Sequence, residues 1–250
     1  MNPAKGGLSM KKLLCSLVII LALLGCAGAQ INTNLDDSPS SWIICLLPSC
    51  DPGGQPGATA SVKTVTATTR DGHALLLTMK GPAYSNALFY YNVGATTANY
   101  LALDLWAYVS SNTIGNTQAL EYDAWAYNSP YRFMWGSQCV IGSDWYGWND
   151  SANQWVDLNL PCNLAVNKWH HIQWWIHRDN TTNCSGMPCT YQDMLGVDNV
   201  YTKVNLITPA SPLPLGWSNN SGVNVQLDLN SFGGTTYEWV DEVNLTALGR

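Results

Sequence analysis

The sequence predicts an all-β protein, folded as a two-sheet antiparallel jelly-roll sandwich, and three observations lead there. From Ser61 onward the chain is a succession of short runs in which apolar and polar residues alternate, separated by Gly, Asn, Pro and Ser. About ten such runs with turn residues between them are the pattern of a sandwich or barrel. No amphipathic helix of three turns can be drawn in that region, and nothing repeats at a fixed period. With the N-terminal segment set aside, about 220 residues remain, which suits one large sandwich as well as two small domains; the strand count favours one jelly roll.

The predicted strands are, in order, Ala74–Lys80, Ala87–Val93, Tyr100–Val109, Ala119–Tyr127, Tyr131–Trp135, Trp155–Leu160, Trp169–Arg178, Val200–Ile207, Val223–Leu229 and Glu238–Leu245. Side chains of a strand alternate between its two faces, so the pattern sorts each run. In Tyr100–Val109, Leu101, Leu103, Leu105 and Val109 oppose Tyr100, Asp104, Trp106 and Tyr108. Glu121, Asp123, Trp125 and Tyr127 share one side of their strand. Ile172, Trp174 and Ile176 oppose Trp169, His171, Gln173, Trp175 and His177. Val223, Val225, Leu227 and Leu229 oppose Asn224, Gln226 and Asp228. Four strands therefore each carry an aliphatic or small side and a side of aromatic, amide and carboxylate groups. The second kind of side is expected to form one ligand-binding groove shared by three of these strands.

Residues 1–29 read as a signal peptide. Met10-Lys11-Lys12 supplies a basic start, Leu13 to Leu24 is apolar, and small residues follow. That run is shorter than the about 20 residues a membrane-spanning helix needs. Two cleavage readings compete. Ala27-Gly28-Ala29 is an A-x-A site that frees Gln30, whereas Leu23-Leu24-Gly25-Cys26 resembles a bacterial lipobox that leaves a lipid anchor on Cys26. Either places the protein outside the cytoplasm, secreted or as an outer-surface or periplasmic lipoprotein of a bacterium. Residues 30–60, rich in Ser, Pro and Gly, read as a linker pinned by a short disulfide loop. Residues 61–250 are the jelly-roll domain.

Charged residues make up only 11% of the chain and the net charge is −6, with few and scattered Lys and Arg. Nucleic acid is excluded on that ground, since neutralising phosphates takes clustered cations. The 12 Trp and 12 Tyr exceed what core volume requires. Exposed Trp on an exported protein points to flat apolar ligands, with sugar rings the leading class.

Of the eight cysteines, six lie beyond the signal: Cys45, Cys50, Cys139, Cys162, Cys184 and Cys189. An even number in an oxidising compartment reads as disulfides. The short-range pairs Cys45–Cys50 and Cys184–Cys189 leave Cys139 with Cys162. No C-x-x-C occurs, so no zinc site is expected. His170 and His171 are adjacent, point to opposite faces and do not form a metal pair. No cofactor is expected. A structural calcium is left open, although no D-x-D-x-D-G loop is present.

Glu121 and Asp123 lie on one face about 7 Å apart along the strand. The stretch Leu120-Glu121-Tyr122-Asp123-Ala124-Trp125-Ala126 resembles the E-x-D-x-W-E strand of retaining cellobiohydrolases and the E-x-D-x-E strand of laminarinases and lichenases. These enzymes share the concanavalin A-like lectin/glucanase jelly roll. The chain from about Ser61 to Arg250 is also similar to uncharacterised secreted bacterial proteins of that superfamily. Two strands carry that similarity beside the acidic one: Trp169-His170-His171-Ile172-Gln173-Trp174, and the final Tyr237–Val243 strand, which is similar to the closing strand of laminin-G-like domains.

The resemblance implies Glu121 as a catalytic nucleophile and Asp123 as its electrostatic helper, should the protein be a glucanase-like enzyme. The family's acid/base Glu falls on Trp125 or Ala126 here. Retaining hydrolysis needs two carboxyl groups about 5–5.5 Å apart, and only Asp104 or Asp228 on other strands, or His171 as proton donor, could stand in. The expected function is therefore lectin-like carbohydrate binding, through Asp104, Trp106, Glu121, Asp123, Trp125, His171, Gln173 and Trp175. The alternatives are a glycan hydrolase or lyase on the same scaffold, and a cell-surface protein-interaction domain. For Glu121 and Asp123 there is also a plain structural role, as a buried hydrogen-bonded pair with Arg132 from the next strand.

Overall fold

The computed structural model describes residues 30–49 and 53–248. The strands are β1 (Gln30–Asn32), β2 (Trp42–Leu46), β3 (Thr59–Val65), β4 (Ala74–Gly81), β5 (Asn86–Asn92), β6 (Tyr100–Val109), β7 (Thr117–Asn128) and β8 (Tyr131–Val140). They continue with β9 (Asp144–Asn149), β10 (Gln154–Pro161), β11 (Lys168–Cys184), β12 (Met187–Val197), β13 (Val200–Pro209), β14 (Ser211–Pro212), β15 (Asn220–Leu229) and β16 (Gly234–Leu248). A short α-helix, α1 (Ser111–Asn116), is closed by a capping box between Ser110 and Thr113.

Two antiparallel sheets of eight strands result. The first runs β13-β12-β11-β6-β16-β4-β3, with β1 on β16, and the second β10-β9-β8-β7-β15-β5-β2, with β14 on β8. This is a two-sheet jelly-roll sandwich, as the strand pattern predicts. Leu101, Leu103 and Leu105 of β6 and Ile172, Trp174 and Ile176 of β11 face Tyr122 and Ala124 of β7, Phe133 and Trp135 of β8, and Val223, Val225 and Leu227 of β15 in one core. Burying each large apolar side chain contributes about 1.5–3 kcal/mol. The alternation read from the sequence holds: the even-numbered side of β6 and the odd-numbered side of β11 are half-buried on the outside.

All ten predicted strands are present, several of them longer than read. β1, β2, β3, β9, β12 and β14 carry too little alternation to be seen in sequence. In β12 the run is broken by Pro188 and Gly196 and by a register shift between Gln192 and Met194. The β12–β13 turn is a two-residue loop in which Asp198 and Asn199 both take positive φ, the conformation that favours Asn and Asp in tight hairpins.

Residues 30–49 and 59–60 do not form the linker their composition suggests, since they carry β1, β2 and the start of β3. β1 pairs with the end of β16, and β2 is the edge strand beside β5. Trp42 is buried with its indole N–H on the Leu35 carbonyl at 2.9 Å. Asp36 accepts the Val243 backbone N–H at 2.7 Å. Tertiary burial overrides the local Ser/Pro/Gly composition. Cys139–Cys162 and Cys184–Cys189 are disulfides, with Cα–Cα distances of 5.5 and 5.3 Å. Cys45 is disulfide-bonded, while its predicted partner Cys50 lies outside the described residues, as do the signal segment and Cys26. Among the described residues no helix is long and apolar enough to cross a membrane.

Candidate functional site

The predicted binding residues do not share a groove. β6 and β11 belong to the first sheet and β7 to the second. Their polar sides therefore lie on opposite outer surfaces of the sandwich, with the core between them. Alternation fixes which side of its own sheet a residue occupies, but not which sheet a strand joins.

On the first sheet, pairing sets His171 beside Trp106 and Gln173 beside Asp104. His171 Nε2 lies 2.8 Å from Asp104 Oδ1, and Gln173 Nε2 donates to Asp104 Oδ2 at 2.6 Å. Trp106 stacks on the His171 ring at 4.4 Å and carries the Arg70 guanidinium 3.3 Å from its centroid. Trp175 meets Tyr201 edge-on at 5.4 Å. Asp104, Trp106, His171 and Trp175 thus face protein neighbours, and Gln173 does so through Nε2, while its buried Oε1 has no partner.

On the second sheet, β7 presents Glu121, Asp123, Trp125 and Tyr127. Its partner β15 sets Gln226, Asn224 and Gly222 against the first three of these. Asp123 accepts the Asn224 side-chain amide at 2.8 Å and the Ser137 backbone N–H at 3.2 Å. Glu121 accepts the Gln138 amide at 2.9 Å and is hydrogen-bonded to the carboxyl of Asp228. Asp228 in turn accepts from Asn86 and Gln226. Arg132, expected beside Glu121 and Asp123, is instead held bidentately by Asp150 at 2.8 and 2.9 Å.

An acid–acid hydrogen bond requires a proton on one partner. Burial first, then the charges of Asp228 and Asp123, push the Glu121 carboxyl well above its ordinary range. Burial likewise raises Asp123 to about 7, against the opposing pull of its two donors, and raises Asp228. These acids combine burial with mutual repulsion, and among the described residues none of them is ion-paired to a cation, the pattern that marks functional carboxyls.

A cavity of about 360 Å³ opens on this face, lined by Tyr90, Asp123, Trp125, Tyr127, Arg132, Trp217 and Asn224 among others. Its aromatic rings run in sequence: Tyr90 to Trp125 at 6.1 Å, Trp125 to Tyr127 at 6.2 Å, and Tyr127 to Trp217 at 5.2 Å. Trp217 is 51% exposed, whereas Trp125 is only 6% exposed. Gly222 makes room for Trp125, because a Cβ there would run into the indole and the Tyr91 carbonyl. A larger cavity, about 440 Å³, lies between the turns at Asn128–Tyr131 and Asn180–Pro188. It is lined by no carboxylate, His or Trp and offers little chemistry.

Tyr90, Trp217 and Gly222 were not singled out in the sequence. Trp217 sits in an aperiodic loop, and only β15 pairing tells where Gly222 falls. Among the described residues no three metal-ligating side chains gather at one point.

No family model matches the sequence, and no curated protein does. Solved structures of similar fold include a carbohydrate-binding module of the β-sandwich superfamily, with TM-score 0.46 and 11% identity over 87% of this chain. The present chain spans 62% of that one's length. An alginate lyase from a Chlorella virus gives TM-score 0.49 and 9% identity, over 86% of this chain and 98% of that one. The family 11 carbohydrate-binding module of a Clostridium thermocellum cellulosomal cellulase gives TM-score 0.38 and 13% identity, over 87% and 94%.

Proposed function

We propose that this protein is an extracellular, lectin-like carbohydrate-binding domain that takes an oligo- or polysaccharide on the outer face of its second sheet. One observation carries the reading: a row of four aromatic rings borders the same cavity as Asp123 and Asn224. Sugars present apolar C–H faces to aromatic rings and hydroxyls to carboxylates and amides, so they match both halves of such a lining. Asp104, Trp106, His171, Gln173 and Trp175 stand outside this site.

Replacing the half-exposed Trp217 by Ala should weaken binding of the preferred glycan on an array by roughly tenfold or more while leaving the melting temperature within about 2 °C. Trp175→Ala, on the opposite face, should leave affinity unchanged. If Trp217→Ala retains full affinity for every glycan that binds, the site is misplaced.

A glycan-cleaving enzyme is the second reading, favoured by the Glu121–Asp228 pair beside Asp123. Glu121 and Asp228 are both buried and neither lines the cavity, so they do not stand where two acids would flank a bound glycosidic bond. Binding without turnover is therefore preferred. Reducing-sugar and unsaturated-product assays on the bound polysaccharides test it; cleavage abolished by Glu121→Gln would reverse the ranking.

A further inference from the structure

Given that this face binds a glycan, as proposed above, we infer that the glycan is acidic: a uronic-acid chain whose carboxylate is received by Arg132 at the Tyr127–Trp217 end of the cavity.

Arg132 lies directly across from Tyr127 in the β7–β8 ladder and lines the cavity. The side edge of its guanidinium, Nε and Nη2, is held by Asp150 at 2.9 and 2.8 Å. Asp150 is itself fixed: its side chain is 1% exposed, and its Oδ1 also accepts the Trp148 indole N–H at 3.3 Å. A guanidinium carries five N–H donors in one plane. Two of them serve Asp150, which leaves the end edge, Nη1 with the second hydrogen of Nη2, for a ligand. Nη1 meets no acceptor among the described residues, and the Arg132 side chain is 26% exposed. Such an edge matches the two coplanar oxygens of a carboxylate, which accepts from both N–H groups and adds charge. A buried acid that fixes the orientation of the fork means little of it has to be ordered on binding.

A second donor lines the same cavity. Asn220, across from Tyr127 in the β15–β7 ladder, accepts the Ser221 backbone N–H through Oδ1, so its Nδ2 is the atom that donates to Asn92 Oδ1. Asn92 lines the cavity with its own Nδ2 outside that bond. The carboxylate of the lining, Asp123, stands at the other end. It lies four residues from Tyr127 on β7, about 13 Å away at about 3.3 Å per residue, beyond the screening length of about 8 Å at physiological salt. Burial also raises Asp123 to about 7, so in mild acid it carries little charge to repel an anion. A sugar ring stacked on Tyr127 or Trp217 therefore has Arg132 at its edge and no ionised acid facing it apart from Asp150, which is already paired.

The experiment uses the full chain and isothermal titration in mildly acidic buffer, where a uronate is ionised. Hexamers of mannuronate, glucuronate and galacturonate are compared with their carboxyl-reduced counterparts, which keep the ring and linkage and lose the acid. At least one uronate hexamer should bind about tenfold or more tightly than its own reduced form, the effect of one charge-assisted hydrogen bond. Arg132→Lys keeps the charge and removes the planar fork. It should weaken that uronate at least about tenfold more than it weakens the reduced form. Should Arg132→Lys fold poorly, the methyl ester of the same hexamer, titrated into the parent protein, serves instead and should bind about as weakly as the reduced form. Reduced hexamers bound as tightly as every uronate overturn the inference and leave glycan binding standing. A sulfated galactan bound more tightly than every uronate does the same, by giving the fork to a tetrahedral anion. No binding by any hexamer, together with no effect of Trp217→Ala on any glycan of an array, overturns both.

Discussion

At Gly222 the local chain and the candidate site are joined by a single missing atom. The residue lies across from Trp125 in the β15–β7 ladder, and the indole occupies the volume a side chain would take. Gly222→Ala forces the ring or the β5 backbone to move, because the clash involves the Tyr91 carbonyl as well as the indole. Overpacking of this kind costs about 1–3 kcal/mol. The expected outcome is a lower melting temperature together with weakened glycan binding, read by thermal melts and titration of the same sample. Gly136→Ala is a useful comparison, since the nearest atoms its Cβ would meet belong to Trp148, Trp155 and Asp123. Trp106 illustrates the opposite case: a Trp on an outer face whose ring is occupied by His171 and Arg70. Counting exposed-side aromatics does not by itself count binding platforms.

Among the elements, β7 has two working faces. Its odd-numbered side carries the acids and aromatics of the site, and its even-numbered side places Tyr122 in the core. There the Tyr122 hydroxyl donates to Glu238 Oε1 of β16 at 2.5 Å, linking the two sheets through the interior. Glu238 is fully buried, its Oε2 has no partner, and burial raises its carboxyl from 4.5 to about 8 despite the Tyr122 hydrogen bond. The folded chain thus keeps a proton that the unfolded chain releases above its ordinary value. The group's contribution to stability is full below about pH 4.5 and is lost as pH rises through about 8. Glu238→Gln keeps the shape and removes the ionisation. Melting temperatures across this range should therefore fall less steeply for the variant than for the parent, and parallel curves would show that Glu238 does not titrate in this way.

The whole molecule is a sandwich whose outermost β9–β10 hairpin is fastened by the Cys139–Cys162 bridge. The sequence separation is 23 residues, and both sulfurs lie in the core. On the chain-entropy account, closing a loop of that length stabilises by about 3 kcal/mol. The double variant Cys139→Ala/Cys162→Ala should lose about that much in denaturant unfolding, more than removal of the five-residue Cys184–Cys189 link. An equal loss from both would mean that native-state packing, not loop length, sets the difference.

The sequence by itself determined the all-β class, ten of the strands, the faces of β6, β7, β11 and β15, and the disulfides Cys139–Cys162 and Cys184–Cys189. These follow from period-two alternation and cysteine spacing, which are local properties of the chain. It did not determine which strands share a sheet, because strand order depends on the burial of the assembled core, not on any run of residues. For that reason Asp104, Trp106, His171, Gln173 and Trp175 looked like one groove with Glu121, Asp123 and Trp125, and lie on the far side of the sandwich instead. The same limit hid β1 and β2 in a stretch composed like a linker, where pairing with β16 and β5 outweighs local propensity. Asp228 was visible as one of several stand-ins for a second carboxyl. Only the register of β15 on β7, which pairs Gln226 with Glu121 and Asp228 with Ala119, brought Asp228 diagonally beside Glu121, since contact across a sheet is set by pairing between segments about a hundred residues apart in the chain.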